Sequence, residues 1–403
     1  MELTLSRIVG LLVVAIIVAI VSRRLRLPYT VGLVVTGLSL ALAPPAADIN
    51  LTYDVVFDVI LPPLLFEAAL SIPWAEWRRD APVVLMLAVP GVVISATVVA
   101  AGMAYGAGWP VSSAVLFGVL IAATDPVSVI AVFKETGIKG RLRLLAESES
   151  LLNDGVAAVL FVIALGWTQA MDHGSQPAAR LAQQIAVTSA GGLAVGLACG
   201  ALAIAVAGRT SDHLVETAVT AVAAYGSFQL AQRLHVSGVL ATVTAGLLMG
   251  NLAIVGQRDT FLLRGREFVL AFWEFAAFIA NSFVFLLIGL TVGHLRLTGT
   301  GPLSSLAAAI GCAVLGRALT VYPLSLIFCR SRWAIPLRDQ HILWWGGLRG
   351  AVALALALAL PPDLPGRREI VTAAFAAVAF SVIVQGLTVP VLLRVLGFFP
   401  KRP

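Results

Sequence analysis

The chain reads as a succession of apolar runs of about 20 residues, separated by short joints that are polar or marked by proline and glycine. An α-helix rises about 1.5 Å per residue, so a run of this length crosses a hydrocarbon layer of ~30 Å. Windows of that size predict about 13 membrane helices, at about 3 to 22, 28 to 43, 52 to 72, 82 to 105, 111 to 133, 145 to 166, 181 to 207, 213 to 232, 236 to 252, 268 to 292, 302 to 328, 339 to 360 and 369 to 396. The second and ninth are short. The largest joint, WTQAMDHGSQPAAR at 167–180, is no soluble domain. The expectation is one all-α membrane domain over residues 1–403, without a soluble regulatory tail.

Composition supports the same setting. With 59% hydrophobic residues, 12% charged residues and a mean hydropathy of +0.97, the chain carries more apolar surface than a soluble core hides. Lysine and arginine then orient it. The odd-numbered joints and the C-terminus hold most of them, including Arg23, Arg24, Arg26, Arg78, Arg79, Lys139, Arg258, Arg264, Arg330, Lys401 and Arg402. The other side holds Arg7, Arg180, Arg233, Arg296, Arg367 and Arg368. A bias of roughly three to one predicts a multi-pass protein of the cell (inner or plasma) membrane, N-terminus outside and C-terminus cytoplasmic. The first run lacks a cleavage site and is read as a retained helix.

Several function classes drop out. The net charge of +6 is spread over separate joints with no basic stripe, so nucleic acid is not a partner; the lipid bilayer is. Cys199, Cys312 and Cys329 lie in apolar runs without metal or disulfide spacing. The histidines, His173, His213, His235, His294 and His341, lie in joints or near run ends, without the spacing of metal ligands or of a nucleophile's base. No enzyme and no cofactor is expected.

The chemistry lies in a few buried charges. Asp125, Asp154, Arg317 and Arg349 fall near the middle of their runs, and Glu149 about two turns in. Each costs about 2.5 to 3.5 kcal/mol or more at the bilayer centre, so together they mark a pathway or mutually satisfied ion pairs. Helix periodicity puts Ser150 and Asp154 on one face, and Asn153 and Glu149 on a second ridge rotated by roughly 100° or more. Asp154 is therefore expected to serve an ion, and Glu149 to be braced by Arg317 or Arg349. Glu147, in the first turn, reads as an interfacial carboxylate.

Two runs carry breaks. ATDPVS at 123–128 contains Pro126, which cannot donate a backbone hydrogen bond and pushes Asp125 out of helical geometry. WWGGLRGAV at 344–352 surrounds Arg349 with three glycines. If runs 1 to 6 (about 1–170) and 8 to 13 (about 210–400) are two inverted six-helix repeats, the breaks occupy corresponding positions, which points to a secondary transporter. A cation channel, the rival reading, would use the same acids on a hydrated helix face.

At these residues the chain resembles a known family. ATDPVSVIAVF, ESESLLNDGVAAVLF and WWGGLRGAVALALAL, with PPLLFEAAL at 62–70 and LGRALTVYP at 315–323, look like the electroneutral, NhaP-type monovalent cation/proton antiporters. The resemblance implies discontinuous helices crossing at the midplane, exchange of Na⁺ or Li⁺ for H⁺, and a homodimer. It implies a cation and proton site of Asp154, Asp125, Ser150 and Thr124, lined by Glu67. It also implies that Asn153 holds the helices together, that Glu149 and Arg317 form a buried bridge, and that Arg349 offsets charge at the second break. The electrogenic branch has aspartate before the site carboxylate; here Asn153 stands there, which implies one-for-one exchange. A potassium/proton or electrogenic exchanger is the alternative.

Overall fold

The computed structural model describes residues 5–25, 27–42, 53–171, 178–210, 212–254, 265–294 and 303–398. Arg26, Arg258, Arg264, Arg296, Lys401, Arg402, His173 and the middle of the 167–180 joint lie outside them. The described residues are helical throughout, apart from short joints and one isolated antiparallel bridge between Asp125 and Leu348. Long runs of Ala, Leu, Val and Ile satisfy their backbone groups internally only as helices, which a bilayer demands.

In chain order the helices are α1 (Leu5–Leu25), α2 (Tyr29–Leu42), α3 (Leu61–Leu70), α4 (Trp74–Ala101), α5 (Val111–Ala122), α6 (Val127–Thr136), α7 (Arg141–Met171) and α8 (Ala178–Ala207). There follow α9 (His213–Arg233), α10 (Gly238–Met249), α11 (Arg266–His294), α12 (Leu303–Ile327), α13 (Leu337–Trp345), α14 (Ala351–Leu358), α15 (Arg367–Phe380) and α16 (Gly386–Val395). π-Helical turns precede α3 (Val55–Ile60), extend α4 (Gly102–Gly106) and α10 (Gly250–Ile254), and join α15 to α16 (Ser381–Gln385). Six helical stretches among the described residues are long and apolar enough to cross a membrane, including Trp74–Gly106 and Arg367–Val395. On α1, Val13, Ile16, Ile17 and Ile20 are all about half exposed, as lipid-facing side chains are.

Two compact units are built from these helices: residues 1–53, 82–153 and 281–403 form the first, and residues 54–81 and 154–280 the second. The first contains both interrupted pairs, α5–α6 and α13–α14. Its core joins Val84 and Leu87 of α4, Phe133 of α6, Leu145 of α7, Val321 of α12, Ile342 of α13 and Leu393 of α16. Tyr29 at the start of α2 shares a 2.5 Å hydrogen bond with Ser282 of α11.

The second unit is held by close helix approach. Gly192, Gly196 and Gly200, one turn apart on α8, lie against Ser237, Ala241 and Ala245 at and along α10. Small residues at this spacing let backbones meet where no hydrophobic drive between helices exists in lipid. Phe66 of α3 packs on Trp273 of α11 with ring centroids 4.6 Å apart, and the Trp273 indole N–H donates to Thr220 Oγ1 at 2.9 Å.

A side chain at Gly196 would strike the Ala241 carbonyl. Gly196→Leu should therefore lower the melting temperature in detergent, by an overpacking cost of about 1 to 3 kcal/mol or more. Gly311→Ala on α12, whose methyl meets nothing within 4 Å, should leave it unchanged.

Candidate functional site

The site begins with the two breaks. After Ala122 the chain turns extended at Ala123 (φ −55°, ψ 138°), and α6 restarts past Pro126. After Trp345 it passes through Gly346, and Gly350 (φ −145°, ψ −148°) leads into α14. The two gaps lie side by side: the Asp125 N–H donates to the Leu348 carbonyl at 2.7 Å.

Cut helices leave unpaired N–H groups at one end and carbonyls at the other. Asp125 serves the first kind. Its carboxylate accepts from the Val127 N–H at 2.9 Å, capping the start of α6, and lies against Gly350 at the start of α14. A Cβ at Gly350 would collide with that carboxylate, which is why the position needs glycine. Arg349 serves the second kind. Its guanidinium donates to the carbonyls of Ala122 (2.8 Å) and Ala123 (3.2 Å) at the end of α5 and to Ala313 of α12 (3.1 Å). Its backbone N–H goes to Ser381 Oγ at 2.9 Å, on the π-helical turn. A negative group at helix starts and a positive one at a helix end both oppose the helix dipole.

Beside the breaks stands α7. Ser150 Oγ donates to the Thr124 carbonyl, and Thr124 Oγ1 donates to Ser150 Oγ at 3.3 Å. The Asn153 amide donates to Thr124 Oγ1 (3.0 Å) and to Glu149 Oε1 (3.3 Å). Glu149 and Arg317 form a bidentate pair with both N···O distances at 2.7 Å and side chains only 2% and 6% exposed. Arg317 also donates to the Leu343 carbonyl through Nη2 (3.0 Å) and Nε (3.2 Å). A small cavity is lined by Thr124, Asp125, Glu149, Ser150, Arg317 and Gly346, among others.

The structure thus brings together Thr124, Asp125, Ser150, Asn153, Glu149, Arg317 and Arg349, all within the first unit. Asp154 follows on α7, one turn past Ser150, and opens the second unit; Glu67, on α3, also belongs to the second unit, and both are half-buried. Glu147 pairs with Arg143 at 2.8 Å on the first turns of α7. Sequence reasoning missed the carbonyl partners of Arg349, the role of Ser381 and the cap by Asp125. Only the last had a signal, an Asp-Pro pair at a helix start.

Residues 11–395 match the family model described as sodium/hydrogen exchanger, transmembrane. The chain belongs to the sodium/hydrogen exchanger family. Among similar proteins, the Na⁺/H⁺ antiporter ApNhaP of Aphanothece halophytica is 39% identical, over 94% of this chain and 71% of that protein. The Na⁺/H⁺ antiporter NhaP of Pseudomonas aeruginosa is 36% identical over 92% of each. The exchanger fold is shared with the sodium proton antiporter MjNhaP1 of Methanocaldococcus jannaschii, with a TM-score of 0.76, 18% identity, and coverage of 97% of this chain and 98% of that one.

In this exchanger, neutralising either Glu149 or Arg317 strands the other charge. Glu149→Gln and Arg317→Gln should each cost about 3 to 5 kcal/mol. The double variant should cost less than the sum, in a double-mutant cycle read by thermal unfolding in detergent. Additive losses would mean that the pair contributes no coupling.

Proposed function

We propose that the chain is a secondary active antiporter exchanging Na⁺ or Li⁺ for H⁺, one for one, by alternating access of a single carboxylate site. The observation that carries this reading is the convergence of hydroxyl, carboxylate and carbonyl oxygens where two interrupted helices meet, in a member of the exchanger family. Half-helix ends at mid-membrane, tolerated only where protein or a cavity covers them, are the hallmark of such transport sites. The reading includes thirteen spans in two inverted repeats with crossed broken helices, an outside N-terminus and cytoplasmic C-terminus in the cell membrane, and a homodimer. The apolar runs and the lysine and arginine bias support the spans and their orientation.

Asp154 is assigned the exchanging carboxylate, one helical turn from Ser150. Asp125, Thr124 and Ser150 complete the oxygen set for a hard cation, with Glu67 lining the path. Burial favours the protonated carboxyl and a bound cation favours the carboxylate, so proton and sodium compete for the same oxygens. Asn153, Glu149, Arg317 and Arg349 hold the framework. The Asn153 amide cannot titrate. One exchangeable charge then gives the loaded site the same net charge with either substrate.

The test uses proteoliposomes carrying a proton gradient. Addition of Na⁺ or Li⁺ should dissipate the gradient, K⁺ should not, and Asp154→Asn should abolish the response in a protein that still folds. Near-normal exchange by Asp154→Asn would remove it from the site. A potassium/valinomycin potential should leave the Na⁺-driven proton flux unchanged once leak is subtracted, because only net charge feels the field, at about 2.3 kcal/mol per 100 mV. A voltage-dependent flux would overturn the one-for-one exchange.

A further inference from the structure

A corner of the first unit, away from the breaks, is charged in an ordered way. Arg330 and Arg332 are exposed just past α12, Arg338 is exposed in the first turn of α13, and Arg394 is exposed in the last turn of α16. Two of these guanidiniums rest on aromatic faces: Arg332 Cζ lies 4.5 Å from the Trp333 ring centroid, and Arg338 Cζ 5.1 Å from that of Phe398. The loop that carries them is fixed from α7, where Arg141 donates to the Trp333 carbonyl (2.8 Å) and the Ala334 carbonyl (2.7 Å). The acid between residues 326 and 339 is Asp339, half-buried and 3.5 Å from Arg338. Large apolar side chains adjoin the cations: Leu326 and Ile327 precede Arg330, Leu337 precedes Arg338, and Val395 follows Arg394, each more than 60% exposed.

The topology bias accounts for cations on this side of the chain, but it requires no arrangement. Here the guanidiniums are held on rings and on a clamped loop, which lowers the cost of ordering them around a ligand. A guanidinium fork matches phosphate oxygens. The apolar neighbours select an amphiphile over a soluble phosphate, because they would be left idle by the latter.

We infer that this corner binds the phosphate of an anionic phospholipid, with its acyl chains along Leu326, Ile327 and Val395. Because Arg141 ties the loop to α7, and α12 and α13 carry Arg317 and Leu343, an occupied corner also braces the helices around the site.

The test is thermal unfolding of the purified protein in nonionic detergent, which needs no transport and so stands or falls apart from the exchange reading. Phosphatidylglycerol at ten times its Kd should raise the Tm by at least about 2 °C. Phosphatidylcholine and glycerol 3-phosphate should not. Arg332→Gln with Arg338→Gln should lose the phosphatidylglycerol increment while keeping the detergent-only Tm. Native mass spectra of the unaltered protein, offered both lipids in equal amounts, should retain phosphatidylglycerol. Equal shifts with phosphatidylcholine, an equal shift with glycerol 3-phosphate, a variant that keeps the increment, or spectra without lipid preference would each overturn the proposal.

Discussion

A helix cut in the middle of an apolar unit exposes N–H and C=O groups that neither lipid nor a hydrocarbon side chain can satisfy, each costing several kcal/mol on the order expected for buried polar groups. The arrangement around the breaks follows from that constraint. Asp125 takes the N–H of Val127 at the start of α6 and lies against the start of α14, and Arg349 takes carbonyls at the end of α5 and on α12. The Asp125–Leu348 bridge pairs one more donor and acceptor from the gaps themselves. Two of the residues that sequence reasoning places as buried charges, Asp125 and Arg349, are thus also caps. Removing either would strand backbone groups as well as alter the charge at the breaks.

The second consequence is connectivity. Glu149 reaches Arg317 of α12, Arg317 reaches the Leu343 carbonyl of α13, and Asn153 joins Glu149 to Thr124 in the first break. One chain of hydrogen bonds therefore runs from the α5–α6 gap through α7 and α12 to the last turns of α13. Low dielectric strengthens each link and makes each partial break costly. Such a frame favours motion as a block, since local slippage would leave charged groups unpaired.

The apolar runs announce where helices lie, because run length alone decides whether a bilayer can be crossed. They misplace ends: α4 starts at Trp74, not near residue 82, because the turn containing Glu76, Arg78, Arg79 and Asp80 is helical yet polar. The π-helical turns leave no mark in hydropathy, so Ser381 could not be assigned to the break. Pro126 and the glycines around Arg349 did mark the gaps, since each removes a local reason to stay helical. Elimination among few buried cations left Glu149 with either Arg317 or Arg349, and the family resemblance implied Arg317. Choosing Arg317 over Arg349 on geometry needed the coordinates, which put the Arg349 guanidinium on carbonyls.

For the proposed exchange, the hydroxyl pair gives this cluster a reason to suit a cation more than an anion. Ser150 has one hydroxyl hydrogen, and it goes to the Thr124 carbonyl; Thr124 has one, and it goes to Ser150. The Asn153 N–H groups are directed to Thr124 Oγ1 and to Glu149, an orientation fixed by the carboxylate, because a flipped amide would set two oxygens together. With those hydrogens turned inward, Thr124 Oγ1 and Ser150 Oγ each keep lone-pair capacity and no free donor. The Asn153 carbonyl oxygen is likewise buried without a hydrogen-bond partner among the described residues. What the three side chains have left is acceptor capacity, and a hard cation or a proton carrier is the class of ligand that uses it.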